Sequence, residues 1–87
     1  MSRAAITLYG NGWCPYCQRA RALLTKKGLA FSDINLDDDD KLRDQMIARS
    51  GRSSVPQIFI GEHHVGGCDD LYALEERGEL DRLIEGA

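Results

Sequence analysis

Long apolar runs are missing from this sequence. Its longest stretches span three or four residues, such as Ile58-Phe59-Ile60, whereas a helix needs about 20 to cross a bilayer. No membrane-spanning helix is expected. Proline is scarce, two residues against nine glycines, and aromatic residues make up only 7% of the chain. The remainder is 43% hydrophobic and 29% charged, a globular composition that sets aside a disordered tail, a fibrous repeat and a low-complexity linker. A surplus of positive charge is lacking too. The formal charge of −3 argues against nucleic acid as a main partner. Met1 to Leu8 contain one basic side chain and no long apolar segment, so no signal peptide is expected and the expected location is cytoplasmic. With 87 residues there is room for one small domain, spanning 1–87.

An even set of cysteines is also lacking. Three cannot all pair within the chain. Cys14 and Cys17 are separated by two residues, and a bridge closing so small a loop takes little entropy from the unfolded chain. Such a bridge adds little stability. In a cytosolic chain the spacing points to redox chemistry or to metal binding. The surroundings are electropositive: residues 1–36 hold five basic side chains and one acidic, residues 37–87 six basic and thirteen acidic.

The pattern along the chain reads as β-α-β-α-β-β-α with a short helix added. Residues 4–9 are a strand stopped by Gly10-Asn11-Gly12, and Pro15 opens a helix to Lys27 with Ala20, Leu23 and Leu24 on one face. Gly28 ends that helix and residues 29–36 form a second strand, which implies a parallel pair. Asp37 to Asp40 open a second helix with Leu42, Met46 and Ile47 apolar; four acids there suit the helix dipole better than a metal cluster. Val55–Ile60 and a short strand ending at Val65, joined through a turn at residues 61–64, make a hairpin. A third helix follows from about Asp69 to Arg77, and Leu80, Leu83 and Ile84 mark the last one. The fold class is α/β, a mixed four-stranded sheet flanked by helices.

Cys14 stands where the first strand turns into a helix. The first turn of a helix offers unpaired N–H groups and about half a positive charge, so a thiolate at Cys14 is stabilised and its pKa falls. Cys17, one turn further in, can resolve the mixed disulfide that Cys14 forms. Zinc sites use the same spacing.

Three segments carry a family resemblance. Cys14-Pro15-Tyr16-Cys17 resembles the active site of dithiol glutaredoxins, Ser54-Val55-Pro56 their Thr-Val-Pro segment, and Gly66-Gly67-Cys68-Asp69-Asp70 their Gly-Gly-Cys-Asp-Asp loop. The short bacterial class is the nearest in pattern. The resemblance implies a thioredoxin-like fold and an enzyme, a glutathione-dependent thiol–disulfide oxidoreductase. It implies no bound cofactor and no metal: glutathione is the reducing co-substrate, glutathione reductase stands upstream, and glutathionylated or disulfide-containing proteins are the substrates. A monomer suffices. By position, Cys14 is the nucleophile and Cys17 the resolving thiol, while Tyr16 flanks the tripeptide. Ser54 and Val55 lie along its cysteinyl part, with a cis Pro56 shaping that edge. Gly67, Cys68, Asp69 and Asp70 receive the γ-glutamyl end. Arg43 falls where the family has a side chain for the glycine carboxylate. Asn11 departs from the pattern, for many members carry lysine there; Arg19 or Arg21 could supply the missing charge.

Plainer readings stand beside these. Pro56 could end a loop in trans, Arg43 could be solvated, Asp69 could serve only as a helix cap, and Cys68 could be a small buried residue. His63 and His64 read as surface residues of a turn, not as zinc ligands. Trp13, just before the nucleophile, is either a shielding or substrate-contacting aromatic or part of the core.

Overall fold

Ile6, Leu8 and Tyr9 are all buried in the first strand, and their alternation sets out the two faces of the sheet. The computed structural model describes residues 4–86; Met1 to Arg3, part of the chain start considered for a signal peptide, and Ala87 lie outside them. The elements are β1 (Ile6–Gly10), α1 (Pro15–Lys26), β2 (Ser32–Asn35), α2 (Asp40–Ser50), β3 (Gln57–Ile60), β4 (His63–Gly66), α3 (Cys68–Glu76) and α4 (Leu80–Glu85). The sheet order is β2-β1-β3-β4. β1 runs parallel to β2 and antiparallel to β3, and β4 completes a hairpin with β3. This is the mixed four-stranded sheet flanked by helices that the pattern implied.

Ile6 and Leu8 of β1 join Ile58 and Ile60 of β3 on one face, where Ala20, Leu23 and Leu24 of α1, Leu71 of α3 and Leu80 and Ile84 of α4 cover them. The other face holds Tyr9, Phe59 and Leu36 against Met46 of α2. Burying a large apolar side chain is worth about 1.5–3 kcal/mol, so the helices on both faces anchor the sheet. Ile47 departs from expectation. It is 37% exposed, because α2 turns only Met46 and Leu42 toward the sheet.

Several boundaries shift. α2 starts at Asp40, not Asp37, because Asp39 is its N-cap and accepts from the Leu42 N–H at 3.0 Å. β3 begins only after Pro56, whose missing N–H cannot enter the ladder. The turn between β3 and β4 is shorter than the sequence suggested, so His63 and His64 belong to β4. There His64 is half-buried, stacked on Phe59 with ring centroids 4.9 Å apart, and its Nε2 lies 2.6 Å from Gln57 Oε1. That ring is committed to the sheet.

Candidate active site at the start of the first helix

Cys14 is the N-cap residue of α1, with extended backbone, and Pro15 fills the first helical position. Proline there removes an N–H that would have had no partner in any case. The next two N–H groups, of Tyr16 and Cys17, are the free donors of the first turn. Burial works against a charge on Cys14, which is 7% exposed. The N–H groups of Cys17 and Tyr16, the Cys17 thiol and the Arg21 guanidinium outweigh it, and the Cys14 pKa is lowered. Cys17 goes the other way. It is fully buried, and burial together with the neighbouring Cys14 pushes it up to about 11, against the Asn11 N–H and Arg21. Both thiols are free, as is Cys68.

Gly10 ends β1 beneath this pair. A Cβ there would come within 2.9 Å of Cys17 Sγ, so the inner thiol needs glycine at that point. The loop that follows is braced across the sheet. Asn11 is buried, and its amide donates to Asp37 Oδ1 at 2.6 Å, while the Gly12 N–H donates to Asp37 Oδ2 at 3.1 Å. These two donors hold the Asp37 carboxyl below its usual range. Asn11 therefore faces Asp37 with its side chain, and is not a free group at a ligand edge.

A hollow of about 190 Å³ is lined by Tyr16, Arg52, Ser54, Val55, Pro56, Gln57, Gly67, Cys68, Asp69 and Asp70. The Val55–Pro56 peptide bond is cis. Gly67 is the N-cap of α3, and Asp70 accepts from its N–H at 2.9 Å. Gly66 has φ +118° and a Cβ there would fall inside the Asp70 carboxylate, so this turn also requires glycine. The free N–H groups that open α3 suit a carboxylate, and the Asp70 carboxylate at the rim suits an amine. Cys68 is buried, which raises its pKa.

The structure therefore brings Tyr16, Ser54, Val55, Pro56, Gly67, Cys68, Asp69 and Asp70 together around one hollow. Arg43 is not among them. With Asn11, Trp13, Leu36, Asp37, Asp38 and Asp40 it lines a second hollow of about 480 Å³. Trp13 edges that hollow and Tyr16 the other, with Cys14 between them in the chain. Trp13 is 75% exposed, which excludes the core reading. Sequence reasoning missed Arg52 and Gln57. Arg52 comes within 3.7 Å of Asp70, and Gln57 donates to the Ser54 carbonyl at 3.0 Å, stiffening the segment before the cis bond. Their nearness to Ser54-Val55-Pro56 was the available signal. Of the two candidate cations, Arg21 is the one at the cysteine pair; Arg19 lies over the Tyr72 ring at 5.4 Å. Among the described residues no group of three or more His, Cys, Asp or Glu could hold a metal ion.

A family model described as glutaredoxin matches residues 6–65. The chain belongs to the glutaredoxin family. It is 52% identical over 82 residues to Glutaredoxin 3 of Escherichia coli (strain K12), covering 94% of this chain and 99% of that one. The solution structure of a glutaredoxin from Brucella melitensis is 52% identical, with a TM-score of 0.85 over 98% of this chain and 92% of that one. A crystal structure of a buckwheat glutaredoxin–glutathione complex is 27% identical, also with a TM-score of 0.85, over 93% of this glutaredoxin and 76% of that one. The fold is thus the thioredoxin-like fold of the family. No described helix is long and apolar enough to cross a membrane.

Proposed function

We propose that this glutaredoxin is a glutathione-dependent thiol–disulfide oxidoreductase that reduces protein–glutathione mixed disulfides and protein disulfides through Cys14 and Cys17. One observation carries the reading: a cap-position thiol of lowered pKa, with a second thiol one turn inside, stands next to a hollow with donors for a carboxylate and an acid for an amine. In the monothiol branch the Cys14 thiolate attacks the glutathione sulfur of a mixed disulfide. The protein leaves as a thiol and Cys14 holds glutathione. A second glutathione thiolate takes that glutathione away as glutathione disulfide and restores Cys14. In the dithiol branch Cys14 attacks a protein disulfide, Cys17 attacks the resulting mixed disulfide, and the target leaves reduced while the Cys14–Cys17 bond forms. Two glutathiones then reduce that bond.

Glutathione is a co-substrate here and no resident cofactor is required. Val55 offers backbone to its cysteinyl part as an added strand does. Ser54 and the cis Pro56 shape that edge, Tyr16 flanks it, and Gly67, Cys68, Asp69 and Asp70 take the γ-glutamyl end. Arg43 and Asn11 line the second hollow, and Arg43 takes the glycine carboxylate at the other end of the tripeptide. The chain acts as a monomer in the reducing cytoplasm, and glutathione reductase recycles the glutathione disulfide. The test is a turnover assay on a small glutathione mixed disulfide, coupled through glutathione reductase. Turnover that depends on Cys14 is expected; none with wild-type protein overturns the reading.

A further inference from the structure

Arg21 lines neither hollow, yet its guanidinium lies near the inner thiol. The side chain is only 15% exposed. Its Nε donates to Asp33 Oδ2 at 2.8 Å and its Nη1 donates to the Asn11 carbonyl at 3.0 Å. Its Nη2 lies 3.2 Å from the point where a Cβ on Gly10 would stand, and Cys17 Sγ lies 2.9 Å from the same point. Guanidinium and sulfur thus share the space beside Gly10, no farther apart than those two lengths laid end to end. The backbone of Asn11 meets both groups, its carbonyl accepting from Arg21 and its N–H facing Cys17.

We propose that Arg21 is the positioning residue of the resolving step: held by Asp33 and the Asn11 carbonyl, it supports the negative charge that Cys17 carries as it attacks the mixed disulfide on Cys14. This rests on the dithiol branch described above. Cys17 is fully buried, so water cannot solvate its thiolate. While Cys14 is itself a thiolate, its charge keeps the proton on Cys17. Once Cys14 is bound in a disulfide that charge is gone. Burial then stands against the Asn11 N–H and Arg21, and Arg21 is the partner with a full charge. In the step itself, Cys17 attacks the Cys14 sulfur as a thiolate, and the proton it gives up ends on the departing substrate sulfur. The Cys14–Cys17 bond forms as the bond to the substrate sulfur breaks, and the substrate leaves as a thiolate that takes up a proton. The cysteine pair loses two electrons and the substrate disulfide gains them.

Rapid mixing of the reduced protein with glutathione disulfide, acid quench and intact-mass detection resolves both events: a gain of one glutathione on Cys14, then its loss as the internal disulfide closes. Arg21→Gln should slow the second event at least about fivefold, equal to ~1 kcal/mol, and the first less than twofold. Arg21→Lys, which keeps the charge, should restore most of the second rate. Arg21→Met, which keeps the packed stem, replaces Arg21→Gln if that variant does not fold. An unchanged second event, equal slowing of both events, or Arg21→Lys as slow as the neutral variants would overturn the proposal. Failure of wild-type protein to form the glutathione adduct at all would instead overturn the proposed function.

Discussion

Cys14 and Cys68 both stand at the start of a helix, both are buried, and their thiols shift in opposite directions. Cys14 is the N-cap of α1, outside the helical turn, where the N–H groups of Cys17 and Tyr16 outweigh burial and lower its pKa. Cys68 is one residue inside α3, after the Gly67 cap. Burial dominates there, and the Asp69 carboxylate adds to it against Arg19. One residue of register separates a thiol of lowered pKa from a thiol of raised pKa. The start of α3 opens its N–H groups on the hollow, whereas those at the start of α1 lower the pKa of a thiol.

The largest effect should come from the cysteines of α1. Cys14→Ser should leave no measurable turnover on either substrate class, because the attacking thiolate is gone. Cys17→Ser should keep reduction of glutathione mixed disulfides, a one-thiol reaction, and lose most reduction of protein disulfides. Coupled assays on one substrate of each kind would show this, and equal loss in both variants breaks the assignment of attacking and resolving roles. Next in size is the ligand end. Asp70→Ala removes the carboxylate that accepts from Gly67, and we expect the KM for glutathione to rise about three- to tenfold with kcat little changed. A fall in kcat at constant KM would mean that the α3 start acts in the chemistry and not in binding.

Much of this was legible in the sequence, and the reasons differ by region. The β1–α1 junction is written in adjacent residues: Gly10-Asn11-Gly12 stops a strand, and Cys14-Pro15 starts a helix. The β1–β2 and β3–β4 pairings follow from the β-α-β unit and the hairpin, whereas the antiparallel β1–β3 pairing that joins them was not legible. The bracing of the Asn11 loop was not legible, because it joins Asn11 and Gly12 to Asp37 across 26 and 25 positions. Asp37 to Asp40 look alike in sequence. Only packing assigns Asp39 to the helix and Asp37 to the loop. His64 reads as a turn residue because the shortness of the Gly61-Glu62 turn depends on the register of β4 against β3. Arg52 and Gln57 carry no motif and enter the hollow only through the chain reversal before β3.

Asn11→Lys sharpens the same comparison at smaller scale. An ammonium there would approach Cys14, but the Asp37 carboxylate, already facing position 11, stands ready to pair with it. We expect a small fall in the Cys14 pKa and a fall in the apparent KM for glutathione within about fivefold, fading with salt, since exposed charge contacts are worth about 0.2–1 kcal/mol. Asn11→Lys combined with Asp37→Asn should enlarge both; no enlargement would mean that Asp37 does not set the charge of this wall. Cys68→Ser should matter least. More than roughly a tenth of the turnover should remain, and a greater loss would give Cys68 a role in the reaction that its raised pKa denies it.

The central claim, that helix register makes one buried thiol reactive and leaves the others inert, is tested most directly by alkylating the reduced protein with iodoacetamide across a pH series and reading each cysteine by peptide mass. A lowered pKa means more thiolate at neutral pH and faster alkylation. Cys14 should react first, with its midpoint below the ordinary thiol value of about 8.5, while Cys68 and Cys17 should respond only above it. Cys68 reacting as early as Cys14, or a Cys14 midpoint at or above the ordinary value, would contradict the account.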